Sequence, residues 1–154
     1  MKSDQALKVC QKCKATCCKM GGADFTEKEM KRVLDAGFPN HFRKFGKNHY
    51  ELKSKRGICP YLAKDNSCSI HSVRPSMCRC WPVYPEFHNG KRVLMLAKCP
   101  LTPLLSRKDI NKMKQQARGV STDMADTISC SKLSASDIKL IKRRLARFKM
   151  RKLK

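Results

Sequence analysis

The chain has 154 residues, ten of them cysteine, with 41% hydrophobic but only 6% aromatic residues. One ordinary domain is expected at this length, and its core is thin enough to need reinforcement by cross-links or metals. The 35 Lys and Arg against 12 Asp and Glu leave a formal charge of +23, and the first apolar run of note, residues 93–97, falls far short of the roughly 20 residues that span a bilayer, which excludes a membrane-spanning helix there.

At the start, the segment CQKCKATCC places Cys10, Cys13, Cys17 and Cys18 within nine residues. A two-residue gap lets a tight turn present two thiolates to one metal. Adjacent Cys17 and Cys18 point to opposite sides of an extended backbone, so they are expected to serve different metals or different corners of one cluster. Thr26 and Glu29 then form a Thr-x-x-Glu capping box, with Phe25 and Met30 placed for a hydrophobic staple. They predict a helix over residues 26–36 that Gly37 and Pro39 stop. Met30, Val33 and Leu34 share its apolar face, which makes it scaffold.

Residues 38–57 are polar and basic, with a short strand predicted at 49–53. The stretch to Pro100 carries Cys59, Cys68, Cys78, Cys80 and Cys99 among repeated prolines, so loops fixed by ligands are expected, with one short strand at 92–97. Ser106 and Asp109 open a second helix, 107–118, with Ile110, Met113 and Ala117 on one side. Ser134 and Asp137 open a third. That one is read as a basic C-terminal helix, placing Ile138, Ile141, Leu145 and Phe148 on one face and Lys and Arg on the rest. The fold class expected is small α+β, loop-rich and metal-organised: a cysteine-cluster domain over residues 1–100, and a basic helical extension of the same domain over 101–154.

No apolar targeting stretch is seen near the start, so a cytosolic location is expected, where thiols stay reduced. A dense cysteine set there points to metal binding or redox chemistry more than to disulfides. The order Cys59-Pro60-Tyr61-Leu62, Cys68-Ser69-Ile70-His71, Arg74-Pro75, Cys78-Arg79, Trp81-Pro82 and Cys99-Pro100 resembles the YkgJ or CxxCxxCC family of small zinc- or iron-chelating domains. The likeness covers roughly residues 10–100. It implies Cys10, Cys13, Cys17, Cys18, Cys59, Cys68, Cys78 and Cys99 as metal ligands. Two positions depart from the family's pattern: the Cys13–Cys17 gap is one residue longer, and His71 stands where Tyr is usual. His71 is read first as a replacement for a packed aromatic and second as a partner of Cys68 on metal. Cys80 and Cys130 fall outside the pattern and are read as reduced thiols. Arg74 and Arg79 are candidates to donate to thiolates or nearby carbonyls.

Zinc and an iron-sulfur cluster both fit such a thiolate set. Structural zinc favours paired knuckles, of which Cys10-x2-Cys13 is one, while Cys59-Pro60 and Cys99-Pro100 are like the Cys-Pro ends of ferredoxin motifs. The function expected is a metal-binding module rather than an enzyme. The basic excess, +11 from 15 basic and four acidic residues over 101–154, is expected to contact RNA or another polyanion through residues 138–154, ahead of an anionic membrane surface. The rival class is an iron-sulfur redox protein or a component of a methyltransferase system, because a similar cysteine set occurs within longer flagellin lysine methylases. No Gly-rich cofactor loop or catalytic motif accompanies it here.

Overall fold

The structure, a computed structural model, describes residues 3–121 and 133–154. Among them are five short α-helices and two small antiparallel sheets of three strands each, an α+β fold as expected. Cys130 lies outside the described residues. No helix among them is long and apolar enough to cross a membrane.

The first helix, α1 (Ser3–Lys12), has no counterpart in the sequence reading. Asp4 in its first turn and Lys12 in its last complement the helix dipole. Its inward face is narrow. Ala6, Val9 and Cys10, at spacings of three and one, pack with Cys99, Leu101 and Phe148.

The first sheet joins β1 (Phe25–Thr26), β2 (Phe42–Phe45) and β3 (His49–Leu52) in the order β1-β3-β2. Helix α2 (Glu27–Asp35) leaves β1 through the expected capping box, in which Thr26 is the N-cap and Glu29 reaches back to it. It ends before Gly37, whose φ of +83° is left-handed backbone that glycine adopts without steric cost. Val33 on this helix closes over Phe25, Phe42, Leu52, Tyr61 and Ile70, with the Phe25 and Phe42 rings edge-on at 4.8 Å.

The second sheet joins β4 (Val83–His88), β5 (Lys91–Lys98) and β6 (Lys149–Lys152) in the order β4-β5-β6. Asn89 and Gly90, at φ 51° and 73°, form the two-residue turn whose twist suits a hairpin. β4 was expected to be loop because of its prolines. Pro85 is accommodated because β4 is an edge strand and needs ladder bonds on one side only. Helix α3 (Ser76–Cys80) and helix α4 (Arg107–Arg118) lie against this sheet, and Cys80, Val83, Leu96 and Ala117 form the second core.

The C-terminal segment corrects the sequence reading. Helix α5 (Ala135–Leu145) starts at its Ser134 cap but does not carry Phe148, and residues 149–152 are a strand on the edge of β5. Phe148 turns into the α1 cluster beside Trp81, and Leu153 into the second core. Continuing as a helix would withdraw both side chains from those contacts. On α5 itself Ile141 is buried, whereas Ile138 and Leu145 remain exposed.

Candidate metal centre

Four separate stretches of chain deliver the eight cysteines. Cys10 lies in the last turn of α1 and Cys13 just beyond it, with the Cys13 thiol donating to the Cys10 carbonyl at 3.3 Å. Lys14 and Ala15 are both left-handed, at φ 58° and 46°, and Ala15 is buried. This pair turns the chain between Cys13 and Cys17, with the Ala15 amide donating to the Cys10 carbonyl at 2.9 Å. Cys17 and Cys18 follow on a 3-10 turn (Thr16–Lys19). Cys59 follows the tight turn at 55–58, Cys68 bridges to Leu62, Cys78 sits on α3, and Cys99 follows β5.

Backbone hydrogen bonds tie the first two stretches together. The Cys59 amide donates to the Cys18 carbonyl at 2.8 Å, and the Gly21 amide to the Gly57 carbonyl at 2.8 Å. Arg144 on α5 fastens the same seam from outside, its Nη1 donating to the carbonyls of Lys19 at 2.6 Å and Arg56 at 3.2 Å. Beneath it Ile141 lies so close to Gly57 that a Cβ there would stand 2.8 Å from its Cδ1 and Cγ1. The other side is held by α2. Glu29 accepts from the Ser76 amide and hydroxyl at the start of α3, while Arg32 donates to the carbonyls of Val73 and Arg74.

The thiols act on one another electrostatically, and Cys18 is the hub. Its charge disfavours ionisation of Cys10, Cys17, Cys59, Cys68 and Cys78, and the Cys13 and Cys99 sulfurs add to that effect at Cys10. Burial is the largest cause for Cys10, pushed up to about 11, for Cys59, pushed up to about 12, and for Cys68 and Cys78, also raised. Cys17 is raised first by donating its hydrogen to Cys18, which the same bond holds below the usual thiol range against its own burial.

Arg74 stands among them. It favours the thiolates of Cys10, Cys18, Cys68 and Cys78, and its Nη1 meets His71 Nε2 at 2.6 Å. A guanidinium only donates, so His71 accepts there and carries its proton on Nδ1. Burial and Arg74 both hold the His71 ionisation below its ordinary value. Its Nε2 lone pair is directed at Arg74, in line with a structural role for the ring. Arg79, which the sequence ranks with Arg74, instead faces Ser76 and, at 4.0 Å, Glu29.

Cys80 belongs elsewhere. It is buried in the second core, donates to the Met77 carbonyl at 3.3 Å, and is raised to about 12 by burial without a contribution from the other thiols. All nine described cysteines are free thiols. Among the described residues no three His, Cys, Asp or Glu side chains are placed to hold one ion together, so the eight sulfurs are gathered without converging on a common point.

Sequence reasoning overlooked Glu29 as a fastener of α3 and Arg144 as a clasp on the Cys18–Cys59 seam. Glu29 is already accounted for as a capping residue, and Arg144 is one cation among nine between residues 138 and 154; neither carries a local signal of its distant partner.

No curated protein and no solved structure matches the chain. The family model described as "Putative zinc- or iron-chelating domain" matches residues 9–100, the span that holds all eight gathered cysteines. The chain belongs to the CxxCxxCC family.

Proposed function

We propose that the chain is a metal-binding protein whose centre is held by Cys10, Cys13, Cys17, Cys18, Cys59, Cys68, Cys78 and Cys99. One observation supports this reading above the others: all eight are free thiols inside the span matched by the zinc- or iron-chelating family model, and the fold ties the Cys18 stretch to the Cys59 stretch through the Cys59 amide, which donates to the Cys18 carbonyl at 2.8 Å. Burial disfavours the thiolate at Cys10, Cys59, Cys68 and Cys78, and a thiophilic cation would favour the charged form that burial opposes.

Zinc would supply folding energy by closing the thiolates around it, and an iron-sulfur cluster would supply an electron-transfer site as well. Arg74 offsets the negative charge that a thiolate-rich centre retains. We place the protein in a reducing compartment, the cytosol, where such thiols stay available. The test is purification without oxygen, followed by a visible spectrum and a count of zinc, iron and acid-labile sulfide. Stoichiometric metal that Cys18→Ser loses is the expected result; a protein free of both metals, with the wild-type fold intact, sinks the reading.

The basic end is proposed to contact RNA or another polyanion. Nine Lys and Arg fall between residues 138 and 154, and all but Arg144 are exposed. Deleting the segment would also remove β6, Ile141 and Arg144, so single substitutions are the cleaner probe of charge.

A further inference from the structure

In the second sheet Lys98 on β5 stands directly opposite Lys149 on β6. Like charges facing each other across two strands destabilise the pair. Here the arrangement is compounded. A cleft of about 750 Å³ opens beside it, lined by Lys98, Arg147, Lys149 and Arg151 over an apolar floor that includes Leu96 and Met150, and no carboxylate lines it. Among the described residues none of these four cations forms an ion pair.

Three other basic side chains are spent internally. Arg43 pairs with the buried Glu51, Arg92 donates to the carbonyls of Arg118 and Val120 at the end of α4, and Arg144 clasps the cysteine seam. The four around the cleft are exposed and repel one another across a concave surface, an arrangement that an anion between them would stabilise.

We propose that this cleft binds the phosphates of a single-stranded nucleic acid. The proposal rests on the polyanion reading above but moves the contact from the exposed face of α5 to the β5–β6 edge. Lys149 and Arg151, two residues apart on one strand, present charge at intervals of about 6.6 Å, a row that an extended sugar-phosphate backbone can follow. No aromatic ring lines the cleft, so bases find nothing to stack on and binding is independent of sequence and strongly dependent on salt. A lipid surface is the poorer match, because the exposed large apolar residues Ile58, Leu104, Ile138 and Leu145 all lie outside the lining.

The test is fluorescence anisotropy of a labelled 15-nucleotide oligouridylate with the full chain in its metal-bound state, titrated from low to moderate KCl. Four phosphate contacts give a plot of log affinity against log salt with a slope of about −2.8. The double variant K149Q/R151Q brings that slope to about −1.4 and weakens binding about tenfold or more. K142Q/R143Q, on α5 outside the cleft lining, removes the same number of charges but weakens binding and lowers the slope by less than the cleft pair does. K98Q on the neighbouring strand gives an independent reading should the double variant misfold. Cleft variants that bind like the wild type overturn the proposal. So does a loss in K142Q/R143Q as large as theirs, which would return the contact to α5, and so does wild-type binding to phosphatidylserine vesicles but not to the oligonucleotide. Metal content measured on the same samples separates a failure of the metal centre from a failure of this cleft.

Discussion

Glu29 holds the start of the helix that carries Cys78: its Oε1 accepts from the amide and hydroxyl of Ser76 at 2.8 and 2.7 Å. Its Oε2 meanwhile accepts from the Thr26 amide and hydroxyl, both at 3.1 Å, so one carboxylate caps α2 and anchors α3. Glu29→Ala removes charge-assisted hydrogen bonds and strands the Ser76 amide, with an expected cost of about 3 kcal/mol in urea unfolding. Ser76→Ala, which keeps the amide bond, is expected to cost about 1 kcal/mol. Equal effects of the two would show that the carboxylate is not the anchor.

The same carboxylate sets a pH dependence. Burial alone would raise its ionisation, but the hydrogen bonds from Ser76 and Thr26 outweigh burial and hold it below the ordinary 4.5. A depressed folded value means that the stabilisation is complete above the unfolded value and is lost as pH falls through the folded one. Carbon NMR of the Glu29 carboxyl is expected to place its midpoint below 4.5. A midpoint at or above the ordinary value contradicts this.

Gly57 and Ile141 are fitted to each other. Gly57→Ala would put a Cβ 2.8 Å from two Ile141 carbons, on backbone at φ +75° that alanine resists. A loss of about 2 kcal/mol is expected by thermal or urea unfolding. In Gly57→Ala/Ile141→Ala the clash disappears while the backbone cost persists, so the double variant should lose less than the sum of the two singles. Strict additivity would mean that the contact is not the cause.

Arg144 bridges the carbonyls of Lys19 and Arg56, the residues flanking Cys18 and preceding Cys59. Arg144→Ala should cost about 1–3 kcal/mol and speed the transfer of bound metal to a competing chelator. Arg144→Lys, with a single ammonium in place of the fork, should fall between. Metal release at the wild-type rate in both variants would separate the clasp from the centre.

Stripping the metal with a strong chelator should loosen residues 10–100, seen as faster amide exchange around Cys59 to Cys78 and a lower melting temperature. An unchanged melt of a verified metal-free protein would show that the two cores suffice without it.

Much of this was legible because it is local. The caps Thr26–Glu29, Ser106–Asp109 and Ser134–Asp137 each join a side chain to an amide three residues on, and all three helices begin where those residues stand. β5 was legible from its apolar run, and β3 lies within the short strand expected at 49–53. α1 escaped notice because its buried face is only Ala6, Val9 and Cys10, too small a stripe to register as periodicity. β4 escaped because Pro85 is tolerated only at a sheet edge, a position that no local pattern reveals.

The family, the cysteines that carry it and the three capped helix starts were determined by sequence alone, because each is a matter of residue type and short spacing. Tertiary structure alone decided how the thiols relate: Cys18 as their hub, Arg74 among them, His71 turned to the guanidinium and Cys80 set apart in another core. It also decided that residues 149–152, which read as helix, are a strand. β5 offers an edge for them, and Phe148 and Leu153 find separate cores on either side. Those outcomes depend on charges and contacts between residues far apart in the chain, and their strength is set by burial and distance, which exist only once the chain has closed on itself.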